Sequence, residues 1–258
     1  MSNGETTQTK QTDSAEGAAN GKVRIAAMGD LHVRETSSGA YRDLFAQVCS
    51  EADVLVLCGD LTEHGLVKEA EVLADELRTC KMPVVAVLGN HDYESELEDE
   101  VSHILTAAGV NVLEGDGMEI LGVGFAGVKG FCGGFGSRIV PLWGERLMKE
   151  YVREGMNQAL QLERALSRLP STERLVVAMH YAPIAETIAG EHPEIYTYLG
   201  NSRLAEVIDR FPVRAAFHGH AHHGTPEGKT GAGVPVFNTA LPLMRQTNPE
   251  RPFALVEV

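Results

Sequence analysis

The sequence predicts an α/β fold, and three observations carry that prediction. Short apolar runs at 23–29, 54–58 and 84–88 are each closed by a glycine and then a polar group: Met28-Gly29-Asp30, Cys58-Gly59-Asp60 and Leu88-Gly89-Asn90. Runs this short and this rich in Val, Leu and Ala read as strands buried on both faces. The runs recur at roughly the length of one β-α-β unit, and the chain between them is helically periodic, as in Leu66, Ala70, Leu73, Ala74 and Leu77. The intervening sequences do not match one another, so this is not a solenoid repeat.

The remaining elements follow in order. Residues 1–20 (MSNGETTQTKQTDSAEGAAN) carry almost no large apolar groups and cannot offset their own ordering entropy, so they are expected as a disordered polar tail, with 21–258 as a single domain. A helix through Leu97, Val101, Ile104 and Leu105 ends at Gly109, and strands are expected at 110–113 and 118–128. The glycine-rich stretch from Val128 to Arg138 lacks phosphate-loop spacing and reads as a connecting loop or as a substrate-facing lid carrying Lys129 or Arg138. A long helix should occupy 145–168, followed by a strand at 175–179 ending in His180. Segment 184–201 looks irregular, a helix follows at 202–210, and a strand at 213–217 runs into His218-Gly219-His220-Ala221-His222-His223. The apolar stretches 234–238 and 253–258 are expected as antiparallel strands closing a second sheet.

Bulk properties exclude some functions. With 22 basic and 36 acidic residues the net charge is −14, which disfavours sequence-independent nucleic-acid binding and anionic membrane surfaces. Cys49, Cys58, Cys80 and Cys132 form no CxxC pair and read as buried thiols of a reducing compartment. With no basic-apolar leader and no run near the ~18 residues of a membrane span, the expectation is a soluble cytoplasmic protein.

Five expected strands end in metal-capable side chains: Asp30 with His32, Asp60, Asn90 with His91, His180, and His218 with His220. One such histidine is ordinarily a packed structural residue; five ends in one chain are not explained that way. In Asp30-x-His32 and His218-x-His220 the i, i+2 partners share one side of an extended segment. Carboxylate, amide and imidazole donors without thiolate favour Mn, Fe, Zn, Co or Ni, and the imidazoles make Mg and Ca poor candidates. The donors exceed what one catalytic zinc takes, whereas two ions ~3.5–4 Å apart would use them all.

Gly-Asp-Leu-His, Gly-Asp-Leu-Thr-Glu-His-Gly, Gly-Asn-His-Asp, a strand ending in His180, and Gly-His-Ala-His occur in that order over 23–240. In this the sequence resembles the calcineurin-like metallophosphoesterase superfamily, particularly its smaller bacterial members. The resemblance implies a four-layer α-β-β-α sandwich with two mixed β-sheets. It assigns one metal to Asp30, His32, Asp60 and His220, and the other to Asp60, Asn90, His180 and His218, with Asp60 bridging. It further implies hydrolysis of phosphomonoesters or phosphodiesters of small phosphorylated substrates, by a hydroxide that two cations generate near neutral pH. Asn90 would also hydrogen-bond a phosphoryl oxygen, and His91 would be the general acid for the leaving oxygen.

One block departs from the protein-phosphatase-type members, which continue it with Asp, Arg and Gly. Here Glu63, His64 and Gly65 stand at those positions. Glu63 is expected to orient His91, and His64 to be a weaker phosphate contact than Arg; the substitution speaks against phosphoprotein phosphatase activity. Alternatives are a cyclic-nucleotide phosphodiesterase, a catalytically silent metal-binding module and a DNA-repair nuclease. Duplex DNA binding would mark the last, against which the acidic charge argues. His103 and His192 read as surface or packing residues; His222, His223, Tyr181 and Arg245 read as possible rim contacts.

Overall fold

The computed structural model describes residues 21–169 and 174–258; the expected polar tail 1–20 and residues 170–173 lie outside them. In chain order the elements are β1 (Arg24–Met28), α1 (Arg42–Glu51), β2 (Val54–Cys58), α2 (Val67–Leu77), β3 (Val84–Val87), α3 (Glu98–Ala107), β4 (Val110–Val112), β5 (Asp116–Ile120), β6 (Val123–Val128), α4 (Arg146–Arg168), β7 (Leu175–Met179), α5 (Tyr196–Leu199), α6 (Ser202–Ile208), β8 (Val213–His218), β9 (Glu227–Lys229), β10 (Pro235–Asn238), α7 (Leu241–Thr247) and β11 (Ala254–Glu257).

Among the described residues the strands form a five-stranded sheet, β11-β1-β2-β3-β4, and a six-stranded sheet, β5-β6-β7-β8-β10-β9. Both sheets are mixed: β1 to β4 run parallel while β11 pairs antiparallel with β1, and β6, β7, β8 and β10 run parallel while β5 and β9 are antiparallel edges.

Alternation along the strands explains the unbroken apolar runs. In β2, Val54, Val56 and Cys58 pack against Phe125, Val176, Ala178 and Phe217 of the second sheet. Leu55 and Leu57 point the other way, onto Phe45 and Val48 of α1 and Leu73 of α2. The second sheet repeats this arrangement, with Val177 and Met179 of β7 against Leu162 and Leu166 of α4 and Leu204 of α6. Two sheets face to face with helices on both outer faces give the four-layer order the sequence led us to expect.

Four readings are corrected. The strand expected at 118–128 is the β5–β6 hairpin, turned at Leu121-Gly122, which both have positive φ. The C-terminal strand β11 joins the first sheet beside β1 rather than closing the second, and β10, expected antiparallel, runs parallel to β8. Segment 184–201 contains single turns at Glu186–Ile188 and Pro193–Ile195 as well as α5. Of the thiols only Cys58 is buried; Cys49, Cys80 and Cys132 are half-buried, and the Cys49 and Cys80 Sγ atoms lie 2.9 Å apart. Among the described residues no helix is long and apolar enough to cross a membrane.

The parallel order sets the site. The C-terminal ends of β1, β2 and β3 in one sheet and of β7 and β8 in the other open at the same edge of the sandwich, where a crevice can hold a ligand.

Candidate metal centre

The chain is laced tightly where the strands end. The backbone N–H of Asp30 donates to Gly59 O (2.9 Å), that of His32 to Asp60 O (3.0 Å), and that of Gly219 to His180 O (3.1 Å). This last bond ties the two sheet-two mouths together. Of six described non-glycine residues with positive φ, four are here: Asp30 (55°), His32 (48°), Asp60 (48°) and His220 (71°). Left-handed backbone is costly for residues with a Cβ, and its concentration at one place marks a site held by its surroundings. Gly59 and Gly89 leave room for that packing: a Cβ at Gly59 would stand 2.6 Å from His180 Nδ1, and one at Gly89 would collide with the Asp60 carboxylate.

Eight side chains converge. Asp60, 2% exposed, places Oδ1 3.3 Å from His180 Nε2 and accepts the His91 backbone N–H at 2.8 Å. His180 Nδ1–H donates to Cys58 O (2.9 Å), which turns Nε2 inward, 2.9 Å from Asn90 Oδ1 and 3.1 Å from His220 Nδ1. His220 is held from behind by the Tyr198 carbonyl at 3.2 Å. On the other flank Asp30 accepts the His220 backbone N–H and lies 2.9 Å from His222 Nε2. The His32 ring packs between those of His91 and His222, at 4.6 and 5.4 Å. Three groups have donor atoms close enough together to hold a cation: Asp30–His32–His222, His32–Asp60–His91 and Asp60–His180–His220.

The charges are arranged around the buried acids. For His180 burial opposes protonation, but the facing Asp60 carboxylate, its hydrogen bond and Asp30 outweigh it and raise the imidazole to about 9. For Asp60 burial pushes upward, yet His180 and the hydrogen bonds from His180 and His91 hold it well below the usual carboxylate range. Burial, with the neighbouring His180 charge, drives His220 down to about 4. Asp92 is fully buried and receives Leu61 N, Thr62 N, Thr62 Oγ1 and Gly89 N, at 3.2, 2.8, 2.6 and 2.8 Å; it thereby pins the second block to the third.

Of the residues singled out from sequence, Asp30, His32, Asp60, Asn90, His91, His180 and His220 meet here, and two stand differently. His218 points away: its Nε2 meets Thr187 Oγ1 and its Nδ1 the Gly219 carbonyl, both at 2.7 Å. The extended backbone stops at His218 and His220 has left-handed φ, so the i, i+2 alternation that paired them no longer applies. The place beside Asp30 is filled instead by His222, expected only at a rim. The Gly-His-Ala-His block, which spans 219–222, already held that register. Glu63 also acts differently. Its carbonyl, at 2.7 Å, accepts from His91 Nδ1, while its carboxylate pairs with Arg34 (3.1 Å) and stands 3.7 Å from His32 Nδ1. His64 pairs with Glu94 at 3.1 Å. His103 and His192 are exposed.

A profile described as "Calcineurin-like phosphoesterase" matches residues 23–224. The chain is 25% identical over 231 residues to a probable cyclic nucleotide phosphodiesterase of Rhodococcus erythropolis, and 23% identical over 176 residues to a probable glycerophosphodiester phosphodiesterase GpdQ of Arcobacter nitrofigilis. These matches take in 83% and 66% of this chain but only 66% and 56% of the relatives' own lengths. Among solved structures, phosphopantetheinyl hydrolase (PptH) from Mycobacterium tuberculosis superposes with a TM-score of 0.65 at 16% identity, covering 91% of this chain and 96% of that one. The protein TT1561 of Thermus thermophilus superposes at 0.52 and 16% identity, over 92% and 99% of the two chains. At such identities the superpositions speak to the fold.

Proposed function

Because the chain belongs to the calcineurin-like phosphoesterases, we propose that it is a dinuclear metal-dependent hydrolase of small phosphate esters, diesters foremost, working as one domain over 21–258. The observation that carries this reading is the convergence of two buried carboxylates, an amide and five imidazoles at one crevice. The donors suit cations: both ring nitrogens of His32 are buried without a hydrogen-bond partner, which is costly unless something else occupies them. Hard carboxylates with imidazoles and no thiolate favour Mn, Fe or Zn.

One cation would be held by Asp30, His32, Asp60 and His222, the other by Asp60, Asn90, His180 and His220, with Asp60 common to both. Ions held there would acidify water near neutral pH and neutralise charge on the phosphoryl oxygens. The protein's own part is positioning and proton transfer. The Cys58 carbonyl sets the His180 tautomer, as the Tyr198 carbonyl sets that of His220. The Glu63 carbonyl accepts a hydrogen bond from His91 Nδ1–H, so that Nε2, 4.0 Å from Asp60 Oδ2, faces the crevice, and the imidazolium form can give its Nε2 proton to a departing alkoxide and be left neutral. Both curated relatives are named as phosphodiesterases, which supports putting diesters first.

The test is turnover of bis(p-nitrophenyl) phosphate, p-nitrophenyl phosphate and a cyclic nucleotide by Mn-loaded protein, before and after chelation. Chelation should abolish hydrolysis and Mn should restore it. Full metal occupancy without turnover of any ester would leave a silent metal-binding module.

A further inference from the structure

Lys129 follows directly on β6, and its carbonyl receives the backbone N–H groups of His180 (3.0 Å) and Tyr181 (3.2 Å), so it is built into the same mouth as the metal centre. Its ammonium stands over three rings: Tyr93 at 4.9 Å, Phe131 at 5.2 Å and Tyr181 at 5.6 Å. Tyr93 closes the helical turn that begins at His91, and the Tyr181 ring lies 4.6 Å from that of His220. The cage is thus one aromatic ring away from the constellation.

Ring faces attract a cation but accept no strong hydrogen bond from it. Among the described residues no carboxylate reaches ion-pair distance of Lys129, although 36 acids are available in a chain of net charge −14. Burial lowers its pKa, with only more distant charges such as Glu154 and Asp60 opposing. A purely structural side chain in this cage could be apolar and avoid that desolvation. Two other cations near the cluster are engaged, Arg34 with Glu63 and His64 with Glu94. His64 stands where a basic phosphate contact would be expected from the second block.

We propose that Lys129 is the substrate-binding cation of this site, its caged Nζ donating to a non-bridging phosphoryl oxygen of the ester. The inference rests on the phosphoester reading above. The rings fix where the ammonium sits, and the unused N–H donors give it a preference for an anion. A compact point charge suits a tetrahedral oxyanion seated beside cations.

The probe is inorganic phosphate, titrated calorimetrically into Mn-loaded wild type, Lys129→Met and Lys129→Arg, with metal content and melting temperature measured alongside. Met fills the cage without the charge, and should weaken phosphate binding roughly 10–100-fold, the loss of one charge-assisted hydrogen bond. KM for esters should rise by a similar factor while kcat stays within about 3-fold, since the ground state and transition state lose the same contact; Arg should restore part of the affinity. Without substitution, the Nζ of Lys129 carrying 13C-methyl groups should shift in the NMR spectrum as phosphate is added. Unchanged phosphate affinity in metallated Lys129→Met, or an unmoved Lys129 resonance in wild type that binds phosphate, would overturn the proposal. Wild type that neither binds phosphate nor hydrolyses any ester would instead bring down the phosphoester reading, and this one with it.

Discussion

The two sheets contribute to one crevice in different ways. At the mouth of the first sheet, Asp30, His32, Asp60 and Asn90 stand within a few residues of β1, β2 and β3, and each is held by backbone hydrogen bonds or by an adjacent glycine. At the mouth of the second, His180 is equally direct, but His220 and His222 are carried on a turn that leaves β8 at His218. Reading the extended pattern past the strand ends therefore names the donors at the first mouth, although Asp30 and His32 are themselves left-handed, and misplaces them by two residues at the second. A strand specifies direction only as far as it stays extended.

The largest effect that could break this comparison is at Asp60, which belongs to both halves. Asp60→Asn should lower metal content below two per chain and cut turnover by roughly 10³-fold, consistent with the ~3–5 kcal/mol of removing one partner from a buried charged set; elemental analysis with kinetics checks both. His91→Ala should leave metal content intact and cost ~10²–10⁴ in rate, most for esters with poor leaving groups. Glu63→Gln should cost only a few-fold, because the contact to His91 comes from the Glu63 carbonyl, which every residue supplies. If Glu63→Gln matched His91→Ala across leaving groups, the carboxylate would be the orienting group after all.

The second mouth is tested by a pair of variants. His222→Ala should weaken metal affinity 10–100-fold or more, measured by competition with a chelator. His218→Ala should keep the stoichiometry while losing about 1–3 kcal/mol of stability through the loss of its buried hydrogen bonds to Thr187 and Gly219. The reverse pattern would restore the alternation reading. The smallest effect lies at the rim of the first mouth, where Glu94 raises the pKa of His64 chiefly by a hydrogen bond. A raised imidazole pKa means that the pairing is complete below about 6.5, the ordinary value, and is lost as pH rises through the elevated one. In Glu94→Gln the NMR titration of His64 should fall back toward that ordinary value.

Much of this architecture is legible in the sequence because the strands are buried on both faces, so apolar run, glycine and ligand appear in succession. The β5–β6 turn at Leu121-Gly122 was hidden because Leu121 looks like strand while adopting φ of 52°. The placement of β11 beside β1 is a long-range pairing that no local pattern encodes. His222 was missed through geometry rather than chemistry, since the motif named it and the strand-based reading did not. The role of the Glu63 carbonyl, the cage around Lys129 and the approach of Cys49 to Cys80 depend on contacts between distant segments and leave no periodic trace.

The left-handed backbone at Asp30, His32, Asp60 and His220 has an evolutionary consequence. Left-handed backbone costs a residue with a Cβ up to about 1–2 kcal/mol, less for Asp, so the site is maintained against a standing gradient toward a more robust molecule. Glycine, or asparagine, relieves that cost at any of these positions. A lineage released from selection for turnover would drift first toward Gly or Asn there, gaining heat resistance as it fell silent. Asp30→Asn, which keeps an acceptor for the His220 N–H, should accordingly melt above wild type when both are stripped of metal, and below it when both are loaded.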